Sequence, residues 1–394
     1  MELSELIYSI DTIWVLLSSF LVFFMQAGFA LVEAGFTQSK NAVNILMKNF
    51  SDFLIASLAF FAVGYALMFG TGNGFMGFTD FFLQGTTHPS LPPMAFFLFQ
   101  TVFAGTAATI LSGAMAERTK FSAYLVISLF MTALIYPIVG HWAWGGGWLS
   151  ELGFMDFAGS GVVHTVGGIA GLMGTIVLGK RNGAFNPNSK IHRGHNVTIA
   201  GLGVFILWFG WFGFNPGSQV AAAGMENANA ISLIAVNTNL AAAIGALTAM
   251  FLSWAQLKKP NVGMLLNGAL AGLVAITAGC ATVTPLEAIA IGAVGSLVMY
   301  AGVTVLWRLK IDDPVGAVPV HGFAGIWGVL AVGIFSTGGD MLTQFIGISA
   351  IAGWTAGTSL LLFLGLRMTM GLRVHGTAED EGLDTHEHGV VAYG

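Results

Sequence analysis

Apolar residues run along the chain in blocks of about twenty, separated by short polar or Gly- and Pro-rich breaks. A helix rises 1.5 Å per residue, so a block of that length crosses the ~30 Å hydrocarbon core of a bilayer. Eleven blocks are read, at 12–35, 51–70, 94–115, 121–142, 158–179, 196–216, 231–255, 263–280, 286–307, 318–336 and 343–368. Backbone polar groups in hydrocarbon must be satisfied within the segment itself, which a helix does. The pattern therefore predicts an all-α polytopic membrane protein with eleven transmembrane helices. Residues 1–11 contain Glu2, Glu5 and Asp11 and no Lys or Arg, so they lack the positive start of a secretory signal, and the first span is expected to stay uncleaved.

The breaks carry charge unevenly. Lys40 and Lys48 follow span 1, Arg118 and Lys120 span 3, and Lys180, Arg181, Lys190 and Arg193 span 5. Lys258 and Lys259 follow span 7, Arg308 and Lys310 span 9, and Arg367 and Arg373 span 11. All 14 basic residues thus fall on one side, while Glu2, Glu5, Asp80, Glu151, Glu226 and Asp340 fall on the other. The positive-inside rule then puts the N-terminus outside and the C-terminus in the cytoplasm of a cell (plasma or inner) membrane. A miscounted span would have scrambled this segregation.

Composition narrows the classes further. Only 8% of the 394 residues are charged, against ~25% in soluble domains, which excludes a water-facing surface over most of the chain. A single cysteine, Cys280, excludes a disulfide scaffold and a Cys-ligated metal site, and the absence of a basic stripe argues against nucleic acid. The net charge of −5 belongs to the tail: setting aside Glu379, Asp380, Glu381, Asp384 and Glu387 leaves 14 acids against 14 bases. The expected division is a membrane domain over 1–370 and a cytoplasmic tail over 371–394.

A self-match at an offset of 157 residues is the most informative motif. DFAGSGVVHTVGGI from Asp156 and DPVGAVPVHGFAGI from Asp313 share Asp156/Asp313, Gly159/Gly316, Val163/Val320, His164/His321, Gly168/Gly325 and Ile169/Ile326. A weaker match aligns Phe20, Phe24, Gly28 and Phe29 of span 1 with Phe205, Phe209, Gly213 and Phe214 of span 6. Spans 1–5 (about 12–179) therefore repeat as spans 6–10 (about 196–336), with an eleventh helix added. Five is odd, so the halves are inverted, an arrangement that places transport sites near the midplane. Eight helical residues advance ~12 Å, which carries His164 and His321 inward from opposite faces to a similar depth. One intramembrane His can be interhelical glue, but a symmetry-related pair at matching depth points to a pathway. Asp156 and Asp313 read first as helix-start caps, and Gly167, Gly171, Gly174, Gly268 and Gly272 as close-packing faces.

Three aromatic groups lie towards the outer face: Phe99 to Phe103, Trp142 to Trp148, and Trp208 to Phe214, the last running on to Ser218. Taken alone they read as an interfacial belt, yet above a midplane His pair they also suit a small cation, which aromatic faces attract by ~0.5–2 kcal/mol. With DFAGSGVVH, ILWFGWFGFNPGS, HGFAGIWGVL, GAMAERTKF and EAGFTQSKNAVN in this order, nearly the whole chain resembles the ammonium transporter family (Amt/Mep/Rh), in its Amt branch.

That resemblance implies a homotrimer with one narrow pore per protomer, serving nitrogen uptake, and no cofactor, metal or enzymatic activity. It makes His164 and His321 the pore histidines, Phe103 and Phe214 the stacked pair closing the outer end, and Trp144, Phe103 and Ser218 the site that recruits ammonium. Asp156 becomes the acid that supports that site, and residues from Gly371 to Tyr393 the tail that couples protomers. Members in prokaryotes dock PII-class nitrogen-regulatory proteins on the cytoplasmic face. Glu33 departs from many members, and either alters the inner mouth of the pore or makes a buried pair.

The chemistry follows from the ion. Ammonium matches potassium in size and charge but donates four directed hydrogen bonds and can give up a proton. A dry pore imposes a large desolvation cost on any ion, which ammonium escapes by passing as ammonia, with or without a separately relayed proton. Buried imidazoles, favouring neutrality, can offer ammonia a donor and an acceptor. Three alternatives stand beside this reading: an ammonium sensor with little flux, a neutral gas channel of the Rh type, and a haem or metal protein using His164 and His321, for which two ligands without a supporting Cys/His cluster are too few.

Overall fold

The computed structural model describes residues 2–186 and 194–393; Lys190 and Arg193, two of the basic residues counted above, lie outside the described residues. Among the described residues the chain is helical, and ten helices are long and apolar enough to cross a membrane. In chain order they are α1 (Leu3–Phe36), α2 (Ser39–Phe69), α3 (Pro93–Ala114), α4 (Phe121–Glu151), α5 (Ser160–Leu178), α6 (Val197–Gln219), α7 (Gly224–Leu257), α9 (Pro285–Leu309), α10 (Val318–Phe335) and α11 (Met341–Thr369). The expected span at 263–280 coincides with a shorter apolar helix, α8 (Val262–Ile276), which ends in turns over 277–282. Two short tail helices follow, α12 (Gly376–Glu381) and α13 (Leu383–His388).

Boundaries differ from the hydropathy reading where helix and apolar run are different things. Helices α1 and α7 each extend for 34 residues, because Glu2 to Ser9 and Gly224 to Ala230 keep helical hydrogen bonds although they are too polar to count as span. The start of α1 carries a capping box between Glu2 and Glu5.

Glycine sets how closely the helices meet. Helices α1 and α6 pack along each other, and a Cβ on Gly35 would lie 2.5 Å from the Asn196 carbonyl oxygen. Helices α5 and α10 cross even more tightly: a Cβ on Gly168 would stand 2.2 Å from the backbone nitrogen of Gly322. Gly167, Gly171 and Gly174 face Ile110, Ala114 and Met115, while Gly268 and Gly272 sit against the backbone of α7. The periphery is apolar by contrast, with Phe20, Phe24, Phe205 and Phe209 all exposed.

One face of the molecule gathers charge around the tail. Lys40 Nζ donates to the carbonyl oxygens of Glu379 and Asp380, and the Asp384 carboxylate accepts the backbone N–H groups of Val43 and Asn44. Arg373 pairs with Glu379 at 2.7 Å, and Arg181 pairs with Glu117 and, at 2.8 Å, with Asp312. The residues after α1, α3 and α5 therefore meet the tail on a single face, here called the tail face.

Candidate functional site

Helices α5 and α10 begin by the same local device. Gly159 and Gly316 adopt the left-handed region (φ 108° and 83°), turning the chain into a helix whose first turn is π-helical, Ser160–Thr165 and Val318–Phe323. An i→i+5 turn is wider than an α-turn and leaves the early amides to other acceptors. The Asp156 carboxylate takes three of them, from Gly159, Gly161 and Val162, and Asp313 takes those of Gly316, Ala317 and Val318. Each π-helical turn holds one histidine, His164 in the first and His321 in the second. Because Gly168 lets the two helices touch, the imidazoles meet, with Nδ1 to Nδ1 at 3.1 Å and ring centroids 5.2 Å apart.

Both rings are buried, so the Nδ1 pair must share a single proton, one nitrogen donating and the other accepting. That bond fixes the tautomer of each ring in a linked way, whichever nitrogen holds the proton. The Nε2 atom of His164 is buried and hydrogen-bonded to nothing, which leaves it free for a guest. Trp211 stacks on His164 at 5.0 Å and is held by its Nε1–H to the Thr277 hydroxyl at 3.0 Å.

Towards the face opposite the tail, aromatic rings continue the line. Phe214 stacks on His164 at 5.4 Å, and Phe103 stacks on Phe214 with centroids 4.1 Å apart and planes 24° from parallel. Both phenylalanines are buried. Above them opens a cavity of about 200 Å³ lined by Phe99, Gln100, Phe103, Trp144, Phe157 and Ser218, among others. Trp144 stands edge-on to Phe103 and donates its Nε1–H to the Asp156 carbonyl oxygen at 2.8 Å, so Asp156 holds both the start of α5 and the indole. Ser218 donates its hydroxyl proton to the Phe214 carbonyl, which leaves the oxygen lone pairs as acceptors. The residues singled out in the sequence thus converge: Trp144, Phe103 and Ser218 on one cavity, and Phe103, Phe214, His164 and His321 in one stack beneath it.

Towards the tail face, a narrow chamber follows, lined by His321, Phe29, Glu33, Gly113, Asn267 and Val315, among others. Phe29 lies 5.9 Å from His321, mirroring Phe214 beside His164, as the weak match of span 1 with span 6 aligned them. The chamber shares Asn267, Val315 and Gly316 with a larger cavity of about 470 Å³ on the tail face.

Gln100 escaped the sequence reading, and so did the surroundings of Glu33, the residue singled out there for the inner mouth of the pore or a buried pair. Gln100 lines the outer cavity with a buried Oε1 that has no hydrogen-bond partner, a free acceptor that only the packing reveals. Glu33 belongs to a buried polar network: its Oε2 accepts from Asn49 Nδ2 and Ser112 Oγ, and nearby Asp52 accepts from Thr109 and Tyr124. The sole described cation nearby, Lys48, donates to the Thr119 carbonyl, so Glu33 makes no salt bridge.

Residues 13–393 match the profile of the Ammonium Transporter Family. The chain is 47% identical to ammonium transporter Amt2 of Archaeoglobus fulgidus, over 98% of this chain and 88% of that protein. It is 48% identical to a putative ammonium transporter of Synechocystis, over 100% and 91%. Among solved structures it resembles a protein described as a sensor Amt protein, with a TM-score of 0.92 at 42% identity over 98% and 99% of the two chains. It also resembles Mep2 of Candida albicans, with a TM-score of 0.87 at 30% identity over 96% and 89%.

Proposed function

The chain belongs to the ammonium transporter family and is a multi-pass membrane protein, and from that membership we propose that it takes up ammonium through the stack of rings built on His164 and His321. The observation that carries this reading is the buried histidine pair set directly beneath the Phe103–Phe214 stack and the Trp144/Ser218 cavity.

Ammonium settles against the aromatic faces of Trp144 and Phe103, with Ser218 Oγ as acceptor; Gln100 Oε1 offers a second. Potassium enjoys the same attraction but makes no directed hydrogen bonds. Phe103 and Phe214 then close the way, and the apolar stretch beyond charges a desolvation penalty to anything ionic. Ammonium passes by losing a proton, and ammonia travels past His164 and His321, exchanging hydrogen bonds with whichever ring nitrogen is an acceptor or donor.

The finer architecture belongs to the same proposal. Eleven spans, with α8 as the eighth, form two inverted five-helix halves and a last helix. The Asp–Gly–π-turn–His device repeated at α5 and α10, and the Phe214/Phe29 correspondence, support it. The N-terminus then lies outside, the tail over 371–394 inside, and the Trp144/Ser218 cavity faces out. We further propose a homotrimer with the tail as regulatory segment and a PII-class protein as cytoplasmic partner, on the resemblance alone.

The second reading is an ammonium sensor with little flux, favoured by the TM-score of 0.92 to a sensor Amt protein. The test is current on a solid-supported membrane carrying the reconstituted chain, under ammonium and potassium pulses, with internal pH followed in the same proteoliposomes. Ammonium-specific current establishes electrogenic transport. Internal alkalinisation without current means neutral ammonia passage, and neither signal leaves the sensor.

A further inference from the structure

We infer that Glu33 is the proton acceptor on the tail-face side of His321, receiving the relayed proton and releasing it to the cytoplasm. This rests on the transport reading above and extends it, since a proton relayed through two imidazoles needs a group to leave to.

The geometry points to Glu33 in three ways. First, it lines the chamber immediately beyond His321. Second, its carboxylate is buried but half used: Oε2 takes both hydrogen bonds, from Ser112 Oγ at 2.9 Å and Asn49 Nδ2 at 3.2 Å, and Oε1 takes none among the described residues. Third, among the described residues no cation makes a salt bridge with it, the nearby Lys48 donating instead to the Thr119 carbonyl. A carboxyl in the membrane region held by neutral donors alone is costly, and such groups mark ion or proton pathways. The purely structural reading, in which Glu33 ties α1 to α2 and α3, accounts for Oε2 but not for a carboxyl in place of an amide.

The chamber offers about 20 Å³ to the centre of a water molecule, room for roughly one water. Through that water the N–H bond at Nε2 of a transiently protonated His321 breaks and an O–H bond forms at Glu33 Oε1. The imidazolium becomes neutral, and the carboxylate becomes a neutral acid. The O–H then breaks to water in the adjoining 470 Å³ cavity, restoring the carboxylate, while ammonia leaves by the same mouth and is protonated there.

The decisive experiment compares wild type, Glu33→Gln and Glu33→Asp in proteoliposomes, recording ammonium-driven current and internal alkalinisation together. Glutamine can accept both Oε2 hydrogen bonds, so packing is kept while the proton acceptor is removed. The expected result is current without alkalinisation in the wild type, since each ammonia that enters is matched by one released proton, and in Glu33→Gln a current lowered at least tenfold with alkalinisation now appearing; Glu33→Asp, whose carboxyl is set back, partly restores the current. A general loss of structure lowers the current and brings no alkalinisation. If the Glu33→Gln current stays within twofold of wild type, or falls with no alkalinisation, the assignment is overturned. Alkalinisation without current in the wild type also overturns it, because no proton then crosses, although transport itself stands. Absence of both signals removes the transport reading and the relay with it.

Discussion

At the scale of single residues, His164 and His321 make one unit, and each should be sensitive to loss of the other. Replacing either by Ala removes the Nδ1–Nδ1 bond, leaves the remaining ring free to turn, and opens a cavity in the dry stretch. The folded protein should survive, since neither ring ties down the helix starts that Asp156 and Asp313 hold. The expected outcome for His164→Ala or His321→Ala is ammonium transport lost or no longer selective over potassium, with an unchanged elution profile. If both variants transport normally and still exclude potassium, the pore assignment is wrong. Ser218→Ala removes an acceptor at the rim rather than the barrier, so apparent affinity should weaken several-fold with selectivity intact, as read from current against ammonium concentration. The meeting of His164 with His321 was legible because the self-match set both at one register of two like segments, and a motif at a fixed offset needs no packing to be seen. Gln100 was not, because a free acceptor is defined by what surrounds it, here Phe99 and Phe103 on its own helix and Ser218 on another.

At the scale of elements, the site depends on how closely α5 and α10 approach. A methyl on Gly168 would meet the backbone of Gly322, and backbone cannot turn aside. A methyl on Gly174 would meet the Met115 side chain at 2.3 Å, and a thioether can swing away. Gly168→Ala should therefore cost about 1–3 kcal/mol of overpacking and pull the imidazoles apart, lowering ammonium flux at least tenfold. Gly174→Ala should cost less and leave most of the flux. Unfolding temperature in detergent and proteoliposome current measure the two effects, and equal flux in the two variants would refute the close-approach argument. Long apolar runs made these helices legible in their order, ten of them with the length of a span and the run at 263–280 as the shorter α8. Their ends were not, since hydropathy stops at the first polar residues while the hydrogen bonds of α1 and α7 run on. The π-helical turns were hidden for a similar reason: Ser160–Thr165 and Val318–Phe323 read as ordinary helix until the Asp156 and Asp313 carboxylates are seen taking the freed amides.

At the scale of the whole molecule, the tail face is held by charges that come from far apart in the chain. The Asp312 carboxylate accepts three hydrogen bonds from Arg181, two from the guanidinium and one from its backbone N–H. Burial alone would raise its pKa, but these bonds and the charges of Arg181 and Arg118 outweigh it and hold Asp312 at about 2, against 3.8 for a free carboxyl. A depressed acid contributes stability in full above its unfolded value, and loses it as pH falls through the folded one. The share is about 2 kcal/mol, present above pH ~4 and gone near pH ~2. Unfolding temperature should fall across that window, and less steeply in Asp312→Asn; parallel curves would contradict the assignment. The tail itself closes over this network. Lys40 holds the carbonyl oxygens of Glu379 and Asp380, Asn41 Oδ1 accepts the Leu383 N–H, and Asp384 caps the start of the α-helical part of α2, where a negative charge is favoured by up to ~2 kcal/mol. Truncation after Arg373 removes all of these partners at once, leaving a lysine and two helix amides bare at the end of the loop between α1 and α2. That loop joins the helix whose Glu33 lines the inner chamber to the helix whose Asn49 donates to that Glu33, so loosening it should slow passage without touching Phe103, Phe214 or the histidines. Flux should drop several-fold in the truncated chain with ammonium still preferred over potassium, and Asp384→Ala should fall between the two while its tail becomes easier to cleave by protease. Wild-type flux in the truncated chain would show that the tail merely rests on this face, whereas lost selectivity would mean that it shapes the pore itself.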